Sequence, residues 1–189
     1  MHIEAIVIRK QAIREHDQLV VLYSRELGKI TAIAKGSLQR HSKQALALDD
    51  ASHIQCELVD GKSGYIMTGT QALSSLGLAK QSPRTWSVAQ VFLQAVDLMV
   101  FEAQADEELW GTLQEILQSL DRSSPETVLA LYRRGQERFL QALGYGVAGS
   151  GEMLSRWARS ALDEKFEAIA QRRLSAIDVL YDVVATSAS

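Results

Sequence analysis

Short apolar runs in residues 1–80 constrain the fold more than any other feature of this chain. They are rich in Ile, Val, Leu and Thr, and each is bounded by polar residues or glycine, as short β-strands are. The pair Asp60-Gly61 is a strong hairpin signal between the last two runs. The pattern predicts a small five-stranded β-barrel, with strands at residues 3–9, 18–24, 29–35, about 52–59 and 65–68.

The pattern changes after Leu78, where β-branched runs give way to apolar residues at helical spacing. Helices are predicted to begin at Ser82-Pro83, at Asp106, at the capping box Ser123-Ser124-Pro125-Glu126 and at Glu152. The third helix is expected to end at Gly144, and the last to be broken near Asp163. The sequence thus predicts an α+β protein, with a barrel domain over residues 1–80 and an all-α helical domain over residues 81–189.

Composition excludes several classes of protein. Hydrophobic residues make up 47% of the 189 residues, which is ample for a buried core. No apolar run reaches the roughly 18 to 20 residues of a membrane span, and residues 1–14 lack a signal-peptide pattern. The single cysteine, Cys56, excludes an internal disulfide and a multi-cysteine zinc cluster. We therefore expect a cytoplasmic protein with no membrane partner, no cofactor and no bound metal.

Charge is segregated along the chain, although its net value is only −3. Residues 1–80 contain ten Lys and Arg against eight Asp and Glu, a net +2, whereas residues 81–189 contain ten against fifteen, a net −5. A basic stretch in which Glu26 is the one acid lies in the predicted barrel, and such a face attracts a phosphate backbone. A solvated charged surface is the common alternative. The predicted DNA-binding residues are Arg25, Lys29, Lys35, Arg40 and Lys43.

Base stacking is expected to contribute little to the free energy of DNA binding. Tyr23 and Tyr65 are the only aromatic residues of the predicted barrel, and both are equally compatible with its core. Electrostatic attraction to the phosphate backbone is therefore expected to dominate.

Two other motifs suggest catalysis or ligand binding at first sight. Arg14-Glu15-His16-Asp17 brings together two carboxylates and an imidazole, but neighbours in a turn point in different directions and no second ligand pair supports them. A structural turn in which Glu15 and Asp17 accept backbone amides is favoured. The glycine-rich stretch 146–151 is followed by Glu152 and not by the Lys-Ser/Thr that ends a phosphate-binding loop.

Several of these segments resemble, in order and spacing, the RecO family of DNA-repair mediator proteins. In the barrel half they are Ala5-Ile6-Val7-Ile8-Arg9, Arg14-Glu15-His16-Asp17, Gly28-Lys29-Ile30 and Ala34-Lys35-Gly36. In the helical half they are Leu131-Tyr132-Arg133-Arg134, Phe139-Leu140 and Leu143-Gly144-Tyr145-Gly146. The resemblance implies an OB-fold barrel that carries the DNA-binding loops, followed by the helical domain of that family.

The resemblance also implies a function. A RecO-like protein is a mediator and not an enzyme; it binds single- and double-stranded DNA and anneals complementary strands. It works with a RecR-like partner to load RecA onto DNA coated by single-strand-binding protein, which would associate this chain with the nucleoid. Many relatives also carry a four-cysteine zinc module, and this chain has no cysteine in the corresponding region, so that module is expected to be shortened or absent.

A partner site is implied in the helical half. In the family, this domain has a pocket for the acidic, apolar C-terminal tail of single-strand-binding protein, and arginines could bind its carboxylate. The residues of this chain that match are Arg133, Arg134 and Arg138. Taken without the resemblance, the same arginines are typical of a solvated helical face with salt bridges.

Two functions of other classes stay open at this point. An adaptor that binds only protein is compatible with the acidic helical half and the scarcity of stacking aromatics. A hydrolytic enzyme built on Glu15, His16 and Asp17 is disfavoured, because no nucleophile arrangement or metal-ligand spacing accompanies them.

Overall fold

The computed structural model describes residues 1–39, 42, 44, 47–62, 64–124, 126–146 and 159–186. The chain divides into two compact units. The barrel unit comprises Met1–Ser75 together with Val100–Glu107, and the helical unit comprises Leu76–Met99 and Glu108–Ser189. The predicted domains placed their boundary after residue 80 and assigned the whole of 100–107 to the helical half.

The barrel unit is a closed five-stranded barrel, as predicted. Its strands pair in the order β1-β2-β3-β5-β4, and every pairing is antiparallel except that of β3 with β5. The last strand is longer than the predicted 65–68, because it pairs with β4 along most of its length. The strands are β1 His2–Ala12, β2 Gln18–Ser24, β3 Gly28–Ala34, β4 His53–Gly61 and β5 Gly64–Ser74.

Alternation along β3 shows how the barrel separates its core from its surface. Ile30, Ala32 and Ala34 are buried, whereas the residues between them are only half-buried. The inward residues join a continuous apolar cluster with β1, β2, β4 and β5, in which each fully buried large aliphatic side chain contributes about 1.5–3 kcal/mol. Tyr23 is also fully buried, so it is a core residue and offers no surface for base stacking.

The segment Val100–Glu107 packs against the beginning of β3. The amide of Ala103 donates to the carbonyl oxygen of Lys29 at 2.9 Å, and Lys29 and Glu102 form a short parallel bridge. Gly28 has a φ of +70°, and a Cβ atom at this position would lie 2.0 Å from the carbonyl oxygen of Gln104. Only glycine allows this close approach in the left-handed conformation.

Five α-helices of the helical unit lie within the described residues. Their core contains Phe92, Tyr132, Phe139 and Phe166, whose ring centroids lie 5.7–6.4 Å apart in edge-on or tilted pairs. In the part of the chain that the structure describes, no helix is long and apolar enough to span a membrane. The helices are α1 Pro83–Met99, α2 Glu107–Asp121, α3 Val128–Ala142, α4 Ala161–Ala170 and α5 Ser175–Thr186.

One predicted helix boundary was wrong. Helix α3 begins at Val128 with Thr127 as its N-cap residue, and not at the Ser123–Glu126 motif. The backbone is extended at Ser160, close to the predicted break near Asp163, and a second break that was not predicted follows at Gln171, whose φ of 52° ends α4 in the left-handed conformation. Asp163 is the third residue of α4, where it completes a capping box with Ser160. Residues 147–158, which include most of the predicted glycine-rich loop, lie outside the described residues.

Candidate functional site

The predicted DNA-binding residues that the structure describes lie near opposite ends of β3. Lys29 is half-buried near the start of this strand, and Lys35 is exposed directly after its end; they are six positions apart, which corresponds to roughly 20 Å. Arg25 lies in the turn that precedes β3, on the side of Lys29. Arg40 and Lys43 lie outside the described residues. The basic stretch of the sequence is therefore not one compact surface patch.

The end of β3 at Arg25 and Lys29 is rich in carboxylates. The guanidinium of Arg25 donates to both carboxylate oxygens of Glu107, at 2.7 and 3.2 Å. This hydrogen bond and the charge of Glu107 raise the pKa of Arg25. Lys29 is half-buried and its backbone pairs with Glu102. A phosphate approaching this end would have to compete with these acids, so its attraction to the two cations is weakened.

The opposite end of β3 is formed by two loops that are hydrogen-bonded to each other. We call residues 13–17 and 35–39 the paired loops. Asp17 accepts the amide of Gly36 at 2.9 Å, and the carbonyl oxygen of His16 accepts the amide of Leu38 at 3.1 Å. Ser37 is fully buried and its hydroxyl donates to the side chain of Gln18 at 3.1 Å. Gly36, Ser37 and Leu38, at the beginning of the β3–β4 loop, are thus anchored to the barrel.

The paired loops present cations to solvent. Lys35 is exposed, and the side chain of Arg14 is 75% exposed, with its guanidinium 3.8 Å from the carboxylate of Asp17. Asp17 accepts a backbone amide, as the turn interpretation predicts, whereas Glu15 is exposed. Among the described residues, no group of three or more His, Cys, Asp or Glu side chains could hold a metal ion.

Arg133, predicted to bind a partner, lies in a buried polar network of the helical unit. Its guanidinium donates to Asp163 at 3.0 Å, to Gln136 at 3.0 Å and to the hydroxyl of Tyr181 at 2.9 Å. Its side chain is only 13% exposed. These contacts join α3 to α4 and α5, so Arg133 holds the three helices together.

Asp163 is the centre of that network, and its side chain is fully buried. The hydroxyls of Tyr132 and Tyr181 donate to it at 2.5 and 2.7 Å, and the amide of Ser160 donates at 2.9 Å. Burial by itself raises the pKa of Asp163, but the hydrogen bonds from the two tyrosines and the charge of Arg133 outweigh it and hold the pKa below 3.8. The carboxylate is therefore charged and fully hydrogen-bonded at neutral pH.

Arg134 and Arg138 have a different environment from Arg133. They line a pocket of about 60 Å³ between α2 and α3, whose apolar surface comes from Ile116 and Leu131. Arg134 is exposed, and Arg138 forms an ion pair with Glu115 across the pocket. The predicted trio thus separates into one structural arginine and two that border an amphipathic pocket.

Sequence reasoning missed Asp163 and Tyr181 as partners of Arg133. The pattern Ser160-Ala161-Leu162-Asp163 is a capping-box signal that could have placed the start of a helix there. No local signal could have paired it with Arg133, which lies thirty residues earlier in the sequence.

Comparisons with known proteins cover both halves of the chain. Residues 1–75 match the family model described as "Recombination protein O N terminal". The "DNA repair protein RecO" of Clostridium kluyveri is 28% identical over 143 residues, which are 76% of this chain and 55% of that protein. The protein of the same name from Caldanaerobacter subterraneus subsp. tengcongensis is 22% identical, over 83% of this chain and 66% of its own length. That of a Nocardioides species is 31% identical, over 52% of this chain and 41% of its own length. The chain spans about half the length of most of the curated relatives it matches.

Proposed function

Because this chain belongs to the RecO family, we propose that it acts in DNA repair as a non-enzymatic recombination mediator that binds DNA through the paired loops of its barrel. The observation that carries the proposal is the contrast between the two ends of β3. The guanidinium of Arg25 is paired with Glu107 at 2.7 Å and the half-buried Lys29 bridges to Glu102 through its backbone. Lys35 is exposed, and the exposed Arg14 lies at the longer distance of 3.8 Å from Asp17, on loops joined by hydrogen bonds. Arg40 and Lys43 follow Lys35 in the sequence as two further cations.

Phosphate contacts should make this binding salt-dependent and independent of base sequence. Each cation that neutralises a phosphate releases a counterion, which changes the slope of log affinity against log salt by about 0.7 to 0.9. A triple variant with Lys35, Arg40 and Lys43 replaced by alanine should therefore bind DNA weakly and with a flatter slope. The measurement is fluorescence anisotropy with labelled DNA across a salt series.

The matched control removes two cations at the other end of β3. The double variant Arg25→Ala, Lys29→Ala should keep most of the affinity and most of the salt slope, because Arg25 is already paired with Glu107 and Lys29 is half-buried beside the Glu102 backbone. Equal losses in the two variants would mean that the whole basic stretch contacts DNA. Salt-independent binding, or none at all by the wild type, would favour an adaptor that binds only protein.

We further propose that the pocket between α2 and α3 binds the C-terminal tail of single-strand-binding protein. Such a tail is acidic and ends in an apolar residue with a free carboxylate. Arg134 and Arg138 could bind the carboxylate, while Ile116 and Leu131 contact the apolar side chain. Replacing both arginines by alanine should weaken binding of a tail peptide by roughly 1 to 3 kcal/mol, with exposed Arg172→Ala as the control.

Strand annealing, cooperation with a RecR-like protein and loading of RecA belong to the same proposal. They are supported by the family relationship and are not assigned to particular residues. The reconstituted reaction tests them: the chain should speed annealing of complementary strands coated with single-strand-binding protein. With a RecR-like protein, it should also shorten the delay before RecA filaments form on such strands.

A further inference from the structure

We propose that Ile13 and Leu38, in the paired loops, contact unpaired bases and make the barrel prefer single-stranded over double-stranded DNA. This inference rests on the proposed DNA binding. It adds discrimination between single- and double-stranded DNA, which phosphate contacts alone cannot provide. Phosphates are present in both forms of DNA, whereas exposed base faces are present only in unpaired strands.

The two aliphatic side chains are held at the same end of the barrel. The amide of Ile13 donates to the carbonyl oxygen of Asp17 at 3.0 Å, and the amide of Leu38 donates to that of His16 at 3.1 Å. His16 and Asp17 are neighbours, so these two bonds keep the Cα atoms of Ile13 and Leu38 within roughly 18 Å of each other. The carboxylate of Asp17 adds a third bond, to Gly36.

Both side chains are partly exposed to water. Ile13 is 40% exposed and Leu38 is 42% exposed. Single exposed apolar residues are ordinary on protein surfaces. Two on loops that are fastened together, with Arg14, Lys35 and the acidic Glu15 exposed on the same loops, form a surface that combines apolar side chains with cations able to contact phosphates.

A single strand of nucleic acid matches that surface. Its phosphates are complementary to Arg14 and Lys35, and its bases are free to cover the aliphatic side chains. Aliphatic side chains of this kind contact bases by inserting between them, and in a duplex that insertion requires unstacking. The barrel cannot use Tyr23 for stacking because the ring is buried, so the aliphatic pair is the apolar contact available on these loops.

The experiment compares binding of a fluorescent oligothymidine with binding of its duplex with oligoadenine, each across a salt series. The double variant Ile13→Ser, Leu38→Ser should lose roughly tenfold in affinity for the single strand, because it no longer buries apolar surface against bases. Its affinity for the duplex and both salt slopes should stay as in the wild type, because no phosphate contact is removed.

The matched control replaces two equally exposed aliphatic residues elsewhere on the barrel. Val59 is 43% exposed and Leu73 is 49% exposed, and the double variant Val59→Ser, Leu73→Ser should bind both DNAs as the wild type does. Asp17 gives a second test of the loop arrangement. Asp17→Ala should reduce the preference for the single strand, whereas Asp17→Asn, which retains the oxygen that accepts the Gly36 amide, should preserve it.

Two results would overturn the inference and leave the proposed DNA binding intact. One is unchanged single-strand affinity in the Ile13/Leu38 variant, which would leave this surface for a protein partner. The other is an equal loss for single strand and duplex, which would mean that the side chains only shape the loops. Absence of salt-dependent binding by the wild type would overturn both proposals.

Discussion

Replacing Asp163 by asparagine should strongly destabilise the helical unit. The substitution keeps the shape of the side chain but removes the charge that pairs with Arg133 and puts an NH2 group where Asp163 accepts hydrogen bonds. Arg133 is left with a largely buried, uncompensated charge. Breaking one partner of a buried ion pair costs about 3–5 kcal/mol, so we expect a loss of this size in the free energy of unfolding.

The control is an aspartate of the same helical unit whose ion pairs are exposed. Asp178 bonds to Arg173 and Arg159 at the surface, and Asp178→Asn should cost only about 0–1 kcal/mol. Urea unfolding followed by far-ultraviolet circular dichroism measures both variants. If Asp163→Asn cost no more than Asp178→Asn, the network would not be holding α3, α4 and α5 together.

The pH dependence of stability gives the same network a second test. The pKa of Asp163 in the folded protein lies below the ordinary value of 3.8. Asp163 therefore binds protons more readily in the unfolded chain, and its contribution to stability is present above the ordinary pKa and is lost as the pH falls through the folded one. The asparagine variant should show less loss of stability in this acidic range than the wild type. An identical acid dependence of the two proteins would contradict this assignment.

Three further changes have outcomes that follow from single contacts. Gly28→Ala should lower the free energy of unfolding by roughly 2–4 kcal/mol, because its Cβ would lie 2.0 Å from the Gln104 carbonyl oxygen. The control is Gly36→Ala, at a φ of +65° with nothing nearer than 3.5 Å, which should cost about half as much in the same urea assay. Gly135→Ala should cost about 1–3 kcal/mol, because its Cβ would lie 2.7 Å from the ring of Phe92; a cost below 0.5 kcal/mol in thermal or urea unfolding would mean that the ring moves freely. Glu115→Gln should increase the affinity of an acidic tail peptide in an anisotropy titration, because Arg138 loses a competing carboxylate; unchanged affinity would place the peptide elsewhere.

Much of the fold was predictable because it depends on local patterns. The alternation along β3 and the Asp60-Gly61 hairpin signal belong to single segments of the chain, and the structure confirms the strands that they predict. The extent of β5 was not predictable from its own sequence, since its last residues pair with β4 and its composition alone gives no end point. The end of α4 at Gln171 is similar, because a non-glycine residue in the left-handed conformation carries little sequence signal.

The environment of the candidate DNA-binding residues was harder to predict because it comes from distant parts of the chain. Lys29 and Lys35 are equivalent in the sequence, as cations on one strand face. The structure separates them through Glu102, which reaches β3 only because segment 100–107 returns to the barrel unit. Charge counted in a window of neighbouring residues omits such acids, so the sequence alone could not distinguish the environments of these two cations.

Arg134 and Arg138 can test the proposed partner site, whereas Arg133 cannot. Arg133 and Arg134 are adjacent in the sequence, but consecutive helical residues point about 100° apart, so one faces Asp163 while the other borders the pocket. Replacing Arg133 removes a buried ion pair and is expected to loosen α4 and α5, which would weaken peptide binding whether or not the peptide touches it. Loss of binding in an Arg133 variant therefore carries no information about contact. Only a variant at Arg134 or Arg138 that keeps wild-type stability can show where an acidic tail binds.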